Sequence, residues 1–284
     1  MPLIPLAPAA RAARSRGEGL AAFNVVHVEN AEAFASAAAR AGTPVVLQIS
    51  QNAARYHGGL APIGLATLEI ARAAEADVVV HLDHADDLDL VREALDLGVS
   101  SIMYDGSKLP DEENRARTAE VVRAAHDLGV SVEAELGEVG GKDGVHSPTA
   151  RTDPAEAARF VADTGVDLLA IAVGTSHAMT ERTALLDLAL IEEIASAVEV
   201  PLVLHGSSGV ADADIQAAIR AGMTKINVST HLNTVFTGAV RELLETDPDV
   251  VDTRTWMRAG REAGAEEAAR LMTLFRDAKA GVPA

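Results

Sequence analysis

Apolar residues along the chain fall into two alternating patterns. Continuous runs of strand length occur at 21–26 (AAFNVV), 44–50 (PVVLQIS), 77–84 (DVVVHLDH) and 100–105 (SSIMYD). Four more follow at 130–136 (VSVEAEL), 167–173 (DLLAIAV), 201–205 (PLVLH) and 224–229 (TKINVS). Between them lie alanine-rich stretches with apolar residues at helical spacing, such as Asp87–Leu97 and Asp153–Ala162. Gly42, Gly98, Gly129, Gly165 and Gly222 each close a helical stretch before the next run, as helix-stop glycines do.

Strands that are apolar throughout, alternating with helices, predict a parallel sheet covered on both faces. Eight such units predict an α/β fold, a (β/α)8 TIM barrel, with a doubly wound open sheet as the alternative. The repeat runs without a linker, so residues 1–284 read as one domain. A helical extension is expected beyond about residue 245, with a helix over Trp256–Ala278. One connection stands out. The segment from Gly137 to Asp153 is long and rich in Gly, Ser, Thr and Pro, the composition of a functional loop.

Composition narrows the partners. Forty-two acidic residues against 24 basic ones give a net charge of −18, which argues against nucleic acid. An anionic substrate would then need local help, for which backbone N–H groups at helix starts are a usual source. The absence of cysteine excludes disulfides, thiolate metal sites and a cysteine nucleophile, and it suits a cytoplasmic location. No signal peptide and no transmembrane run are apparent, so no membrane association is expected.

The polar residues gather where the runs end. They are Asn24, Gln48, Ser50, Asp83, His84, Asp105, Glu133, Glu135, His177, His205, Asn227, Ser229 and Thr230. In a barrel these positions line the C-terminal rim, where active sites lie. His84, His177 and His205 offer three imidazoles, the donor set of a catalytic zinc site with one open position. Each is also readable as a strand-end histidine with an ordinary hydrogen bond. The stretches HGSSG (205–209) and NVST (227–230) follow the seventh and eighth runs, where barrels often hold phosphate; Asp212 or Asp214 is expected to cap the helix after the first. Lys225 shares a strand face with Asn227, and a Schiff base, a phosphate contact or an acidic partner would each account for it.

At these residues the chain resembles the class II fructose-bisphosphate and tagatose-bisphosphate aldolases over essentially its full length. The matching pieces are AFN (22–24), HLDH (81–84), MYDGS (103–107), VEAELGEVGG (132–141), VGTSH (173–177), LHGSSG (204–209) and KINVST (225–230). The resemblance implies a reversible aldol cleavage of a ketose 1,6-bisphosphate into dihydroxyacetone phosphate and an aldehyde such as glyceraldehyde 3-phosphate. It further implies that His84, His177 and His205 hold Zn2+, with Glu135 and Asp105 as carboxylates near the metal, and that Asp83 moves the proton of the C4 hydroxyl. Gly174, Gly206, Ser208, Asn227, Ser229 and Thr230 would grip the dihydroxyacetone phosphate part, and Asn24, Gln48 and Ser50 are assigned to substrate on the same rim. A monovalent cation, Na+ or K+, beside the phosphate and a homodimeric or homotetrameric assembly belong to the same expectation.

Departures fall on the aldehyde side. Ala178 stands where the family has glycine, and Thr180 and Glu181 where many members have a tyrosine–lysine pair. Of the loop acids Asp143 and Glu138, Asp143 is assigned as the base in synthesis. The family's DPR signature reads Asp252–Thr253–Arg254, in which Arg254 keeps the guanidinium for the far phosphate, in a neighbouring subunit's site. Two other classes fit these residues less well. A zinc hydrolase on this barrel would show a His-x-His pair after the first run, where only His27 occurs, and a non-catalytic phosphosugar-binding protein would have no use for Asp83 beside His84.

Overall fold

The eight apolar runs form eight strands because each is buried on both faces, so β-branched and aliphatic side chains can fill both. A computed structural model describes residues 2–136, 151–176 and 179–279. In chain order the elements are α1 (Leu6–Arg16), β1 (Leu20–Asn24), α2 (Val28–Ala41), β2 (Val45–Ser50), α3 (Gln51–Tyr56), α4 (Ala61–Ala73), β3 (Val78–Ala85) and α5 (Leu88–Leu97). Then come β4 (Ser101–Tyr104), α6 (Asp111–His126), β5 (Ser131–Leu136), α7 (Pro154–Thr164), β6 (Leu168–Ile171), α8 (Leu188–Ala197) and β7 (Leu202–Leu204). A 3-10 turn (Ser207–Gly209), α9 (Asp212–Ala221), β8 (Met223–Val228), α10 (Thr230–Thr246) and α11 (Thr253–Arg276) complete the order.

All strand pairs are parallel, and β8 returns to β1 with Leu20 opposite Lys225 and Ala22 opposite Asn227. That closure decides between the two expected sheets: the chain is a TIM barrel. The period of two then sorts the strand side chains. Phe23, Leu47, Val80, Ile102 and Val132 face the helices, in one continuous outer core. Leu20, Ala22, Val46, Val79, Ala170 and Val203 point inward and form a separate inner core with Leu6, Ala7 and Ala10 of α1. Helix α1 therefore closes the N-terminal end of the barrel, and the Ala7 amide donates to Ser131 Oγ at 3.0 Å. The sequence pattern assigned α1 no such role.

Helix ends follow local chemistry. Asp87 and Asp153, expected as first helical residues, are N-caps whose carboxylates accept from the first-turn amides of α5 and α7. Gly42, Gly98, Gly129, Gly165 and Gly222 all lie at positive φ. Neither Asp212 nor Asp214 caps α9; its N-cap is Ala211, and the Asp212 carboxylate instead takes Arg182 and Arg270. The final helix begins at Thr253 rather than Trp256 because Asp252 accepts from the Arg254 amide. Among the described residues no helix is long and apolar enough to cross a membrane.

Candidate active site

The inward positions nearest the C-terminal ends of the strands are polar. On β3, His81 and Asp83 share the inward face by the period of two, and both are buried. The next residue, His84, would point to the helix layer in a regular strand. Instead its φ is 50°, the one positive value at a non-glycine among the described residues, and the β3–β4 register shifts between Leu82 and Ala85. This bulge turns His84 back over the barrel mouth. Such a conformation costs on the order of 1–3 kcal/mol and concentrates at functional sites.

His205, directly after β7, meets His84 there. His84 Nε2 and His205 Nδ1 lie 2.7 Å apart, with the rings edge-on at 83°. The opposite nitrogen of each ring faces a carboxylate: His84 Nδ1 is 3.1 Å from Asp105 Oδ2, and His205 Nε2 is 3.0 Å from Glu133 Oε1. A carboxylate accepts and does not donate, so these two contacts favour a ring hydrogen on the carboxylate side, while the Asn227 amide nitrogen also lies 3.3 Å from His205 Nε2. The two facing nitrogens then direct their lone pairs at one point. A shared proton or a metal cation would satisfy such a pair, and imidazoles with carboxylates close by are among the donors that zinc takes. Asp83 joins His84 and His205, and Asp105 and Glu135 join His84, in two groups whose ligand atoms all lie within 4.8 Å of one another. Asp105 is itself oriented by Ser107, whose hydroxyl donates to Oδ1 at 2.6 Å.

Beneath this pair sits a set of buried charges in which Lys225 has the acidic partner that was one of its three expected roles. Glu133 Oε2 is 2.8 Å from Lys225 Nζ and 3.8 Å from His81 Nε2, all fully buried. Burial alone would raise the Glu133 carboxyl, but the Lys225 ammonium and the His205 hydrogen bond outweigh it and hold the group well below the usual carboxylate range. Burial, reinforced by Lys225, pushes His81 well below the usual histidine value, so it is neutral; its Nδ1 lies 2.8 Å from Ser101 Oγ. Sequence reasoning placed Glu133 on the rim but gave His81 no role, although His81 stands two residues before Asp83 on the same face.

A cavity of about 200 Å³ opens beside Asp83 and His84. One wall carries Asn24, Gln48 and Ser50 from β1 and β2, with Gln48 Nε2 donating to Asn24 Oδ1 at 2.8 Å. The other carries Gly206, Ser208, Asn227, Ser229 and Thr230. Ser229 precedes α10 and Thr230 opens it, and the His231 amide of its first turn donates to Ser208 Oγ at 3.2 Å. First-turn amides and the roughly half-unit positive charge of a helix start are groups that attract an anion, and this wall carries them despite the acidic chain. A larger groove of about 660 Å³ between α2 and α11 is lined by residues such as Glu32, Arg40 and Arg261, with no histidine among the described residues that line it.

Two assigned residues stand apart from this cavity. Gly174 borders a neighbouring depression with Arg151, Ser176 and Leu185. Arg254, at the start of α11, is 84% exposed, holds Asp252 at 2.7 Å and lines a separate depression with Glu29, Glu32 and Arg258. Lys225 does not line the cavity. His177, Ala178, Asp143 and Glu138 lie outside the described residues.

Residues 6–280 match the family described as fructose-bisphosphate aldolase class-II. The chain is 38% identical over 271 residues to the fructose-bisphosphate aldolase of Staphylococcus epidermidis, covering 93% of each chain. It is 41% identical over 249 residues to that of Geobacillus stearothermophilus, covering 85% of each. Among solved structures, the YdjI aldolase from Escherichia coli K12 superposes with a TM-score of 0.85 at 33% identity, covering 98% of this chain and 99% of that one.

Proposed function

The chain belongs to the class II fructose-bisphosphate aldolase family, and on that premise we propose that its barrel mouth cleaves a ketose 1,6-bisphosphate reversibly into dihydroxyacetone phosphate and glyceraldehyde 3-phosphate. The protein is an aldolase, a carbon–carbon lyase of carbohydrate metabolism, and its family is zinc-dependent. The observation that carries the finer reading is the convergence of His84 Nε2 and His205 Nδ1 at 2.7 Å beside Asp83, each ring held by its own carboxylate. His84 and His205 would hold zinc, with His177 as the third imidazole and Asp105 or Glu135 close by. When bound, that ion supplies Lewis-acid stabilisation for the negative charge that cleavage leaves on the ketose oxygens.

The chain's own groups supply the rest. Ser208, Ser229, Thr230 and the start of α10 bind the 1-phosphate and so fix which carbon faces the histidines. Asn24, Gln48, Ser50 and Asn227 line the space for the hydroxyls. Asp83, buried beside His84, takes the C4 hydroxyl proton in cleavage and returns it in synthesis. Asp143 is assigned to the proton of dihydroxyacetone phosphate in synthesis. The same reading makes residues 1–284 one barrel domain working in the cytoplasm, with Na+ or K+ beside the phosphate.

A second reading, an aldolase for another phosphorylated sugar, draws on Arg254. Its guanidinium is exposed and paired with Asp252 at the start of α11, so within one copy it does not line the cavity. In the first reading it serves the far phosphate in a neighbouring copy of a homodimer or homotetramer. A panel of fructose and tagatose bisphosphates with their 1-phosphates, each with and without a strong chelator, tests both. Bisphosphate cleavage abolished by chelation and restored by Zn2+ is the expected result. Full activity in metal-free enzyme overturns the metal assignment, and indifference to the second phosphate overturns the bisphosphate one.

A further inference from the structure

Lys225 is the buried group that the proposed chemistry leaves without a use. It is fully buried inside the barrel, one inward position below Asn227 on β8. A barrel interior normally carries branched apolar side chains at such depth, and an ammonium placed there costs several kcal/mol that only a close partner offsets. The partner is Glu133, whose Oε2 lies 2.8 Å from Nζ. The other oxygen of the same carboxylate, Oε1, lies 3.0 Å from His205 Nε2.

Three roles can be separated on this geometry. A Schiff base needs the amine at the substrate carbonyl, but Nζ is buried, paired and absent from the cavity wall. A phosphate contact fails for the same reason, since Ser208, Ser229 and Thr230 form that wall. Stability alone is a weak reason for the pair, because well-packed apolar residues commonly replace buried ion pairs with no loss. What the pair does hold is the carboxylate plane beneath His205. The Lys225 charge 2.8 Å from Oε2 is an ion pair without hydrogen-bond alignment, and its attraction holds that oxygen on the β8 side while Oε1 stays under the imidazole.

We propose that Lys225 is a positioning residue for the metal: through Glu133 it holds His205 in the ring orientation and tautomer whose Nδ1 faces His84 Nε2. The proposal rests on the reading of His84 and His205 as zinc ligands. His84 meets Asp105, which follows β4, and Glu135 Oε2 lies 3.9 Å from Nδ1 of both rings, so the imidazoles share Glu135; among the described residues the Glu133–Lys225 ion pair stands behind His205 and not behind His84. A carboxylate behind a ligating histidine typically sets 10- to 100-fold in metal affinity. Lys225, itself no ligand, should therefore control zinc binding by about that factor.

The test measures zinc affinity by competition with a chromogenic chelator in wild type, Lys225→Met, Glu133→Gln, the Lys225→Met/Glu133→Gln double variant and His205→Ala, with thermal melting of each metal-free protein. Lys225→Met should bind zinc roughly 10- to 100-fold more weakly and melt lower, because it leaves the Glu133 charge unpaired. The double variant removes both charges at similar volume. It should recover the melting temperature while zinc affinity stays low, since the ammonium that held the group beneath His205 is gone. If Lys225→Met does not fold, the double variant carries the test by itself. Wild-type zinc affinity in a folded Lys225→Met protein or in the double variant overturns the proposal, and recovery of melting and affinity together would mean that Lys225 only neutralises a buried charge. Undiminished zinc binding by His205→Ala would remove the metal reading and this proposal with it.

Discussion

Gly206→Ala offers a sharp test of how the site is built, because two separable costs meet at that residue. Gly206 lies at φ 68° between His205 and the turn that carries Ser208. A Cβ there would sit 2.6 Å from the Ser176 carbonyl oxygen, 2.8 Å from its carbon and 3.0 Å from its nitrogen. These are backbone atoms, which cannot rotate out of the way. The left-handed conformation costs alanine roughly 1–2 kcal/mol, and relieving the overlap adds about 1–3 kcal/mol. Gly42, at φ 66° with nothing within 4 Å of its would-be Cβ, isolates the first cost. At roughly 2 °C per kcal/mol for a chain of this size, Gly42→Ala should lower Tm by about 2–4 °C and Gly206→Ala by about 4–10 °C.

Activity should separate the two variants further. Moving the 205–208 and 176 segments apart by somewhat under 1 Å displaces both His205 and Ser208, and a misplacement of about 1 Å costs on the order of 100-fold. Paired melting curves and kcat/KM on the preferred ketose bisphosphate read both effects. Gly42→Ala should keep wild-type kcat/KM, and Gly206→Ala should lose a large part of it. Equal Tm losses, with kcat/KM retained in Gly206→Ala, would refute the claim that Ser176 packs against this glycine.

Asp83→Ala should keep zinc and dihydroxyacetone phosphate binding but lose about 10²- to 10⁴-fold in kcat; near-normal kcat in zinc-loaded variant would remove Asp83 as the proton carrier. Arg254→Ala should weaken use of a bisphosphate far more than of the matching 1-phosphate ketose, with proton exchange on dihydroxyacetone phosphate little changed; equal losses on both ketoses would assign Arg254 to fold or assembly. In acid, Glu267 is informative: burial would raise its pKa, but hydrogen bonds from Arg270 and His231 outweigh that and bring it down to about 2. A depressed folded value stabilises fully above the unfolded value of about 4.5 and is lost as pH falls toward about 2. The stability deficit of Glu267→Gln in urea titrations should accordingly shrink between those two pH values, and a constant deficit would deny the linkage.

Much of the architecture was legible because it is local. Eight apolar runs, each bounded by a turn residue or a glycine, specify strands regardless of what they pair with, and Asp87, Asp153 and Gly42 mark helix ends through bonds within a few residues. The run ends and the period of two also place Asn24, Ser50, Asp83, Asn227 and Ser229 on one rim by sequence position alone, and these residues do line one cavity. The family resemblance then assigned chemistry to positions that spacing alone had left open.

What tertiary structure decided are the relations that cross the barrel. Closure of β8 onto β1 chose the barrel over an open sheet. Only that closure brings Lys225 on β8 to Glu133 on β5, far back in the chain, and so turns three candidate roles for the lysine into one ion pair. The plug made by α1, the turn of His84 at φ 50° and the facing imidazole nitrogens depend likewise on how the elements pack. Arg254 shows the same limit from outside: the DPR-like signature named the residue, while the fold placed it at the exposed start of α11. Periodicity records the direction of each side chain from its own backbone. It carries no distance between backbones, and hydrogen bonds, ion pairs and lone-pair convergence are set by those distances.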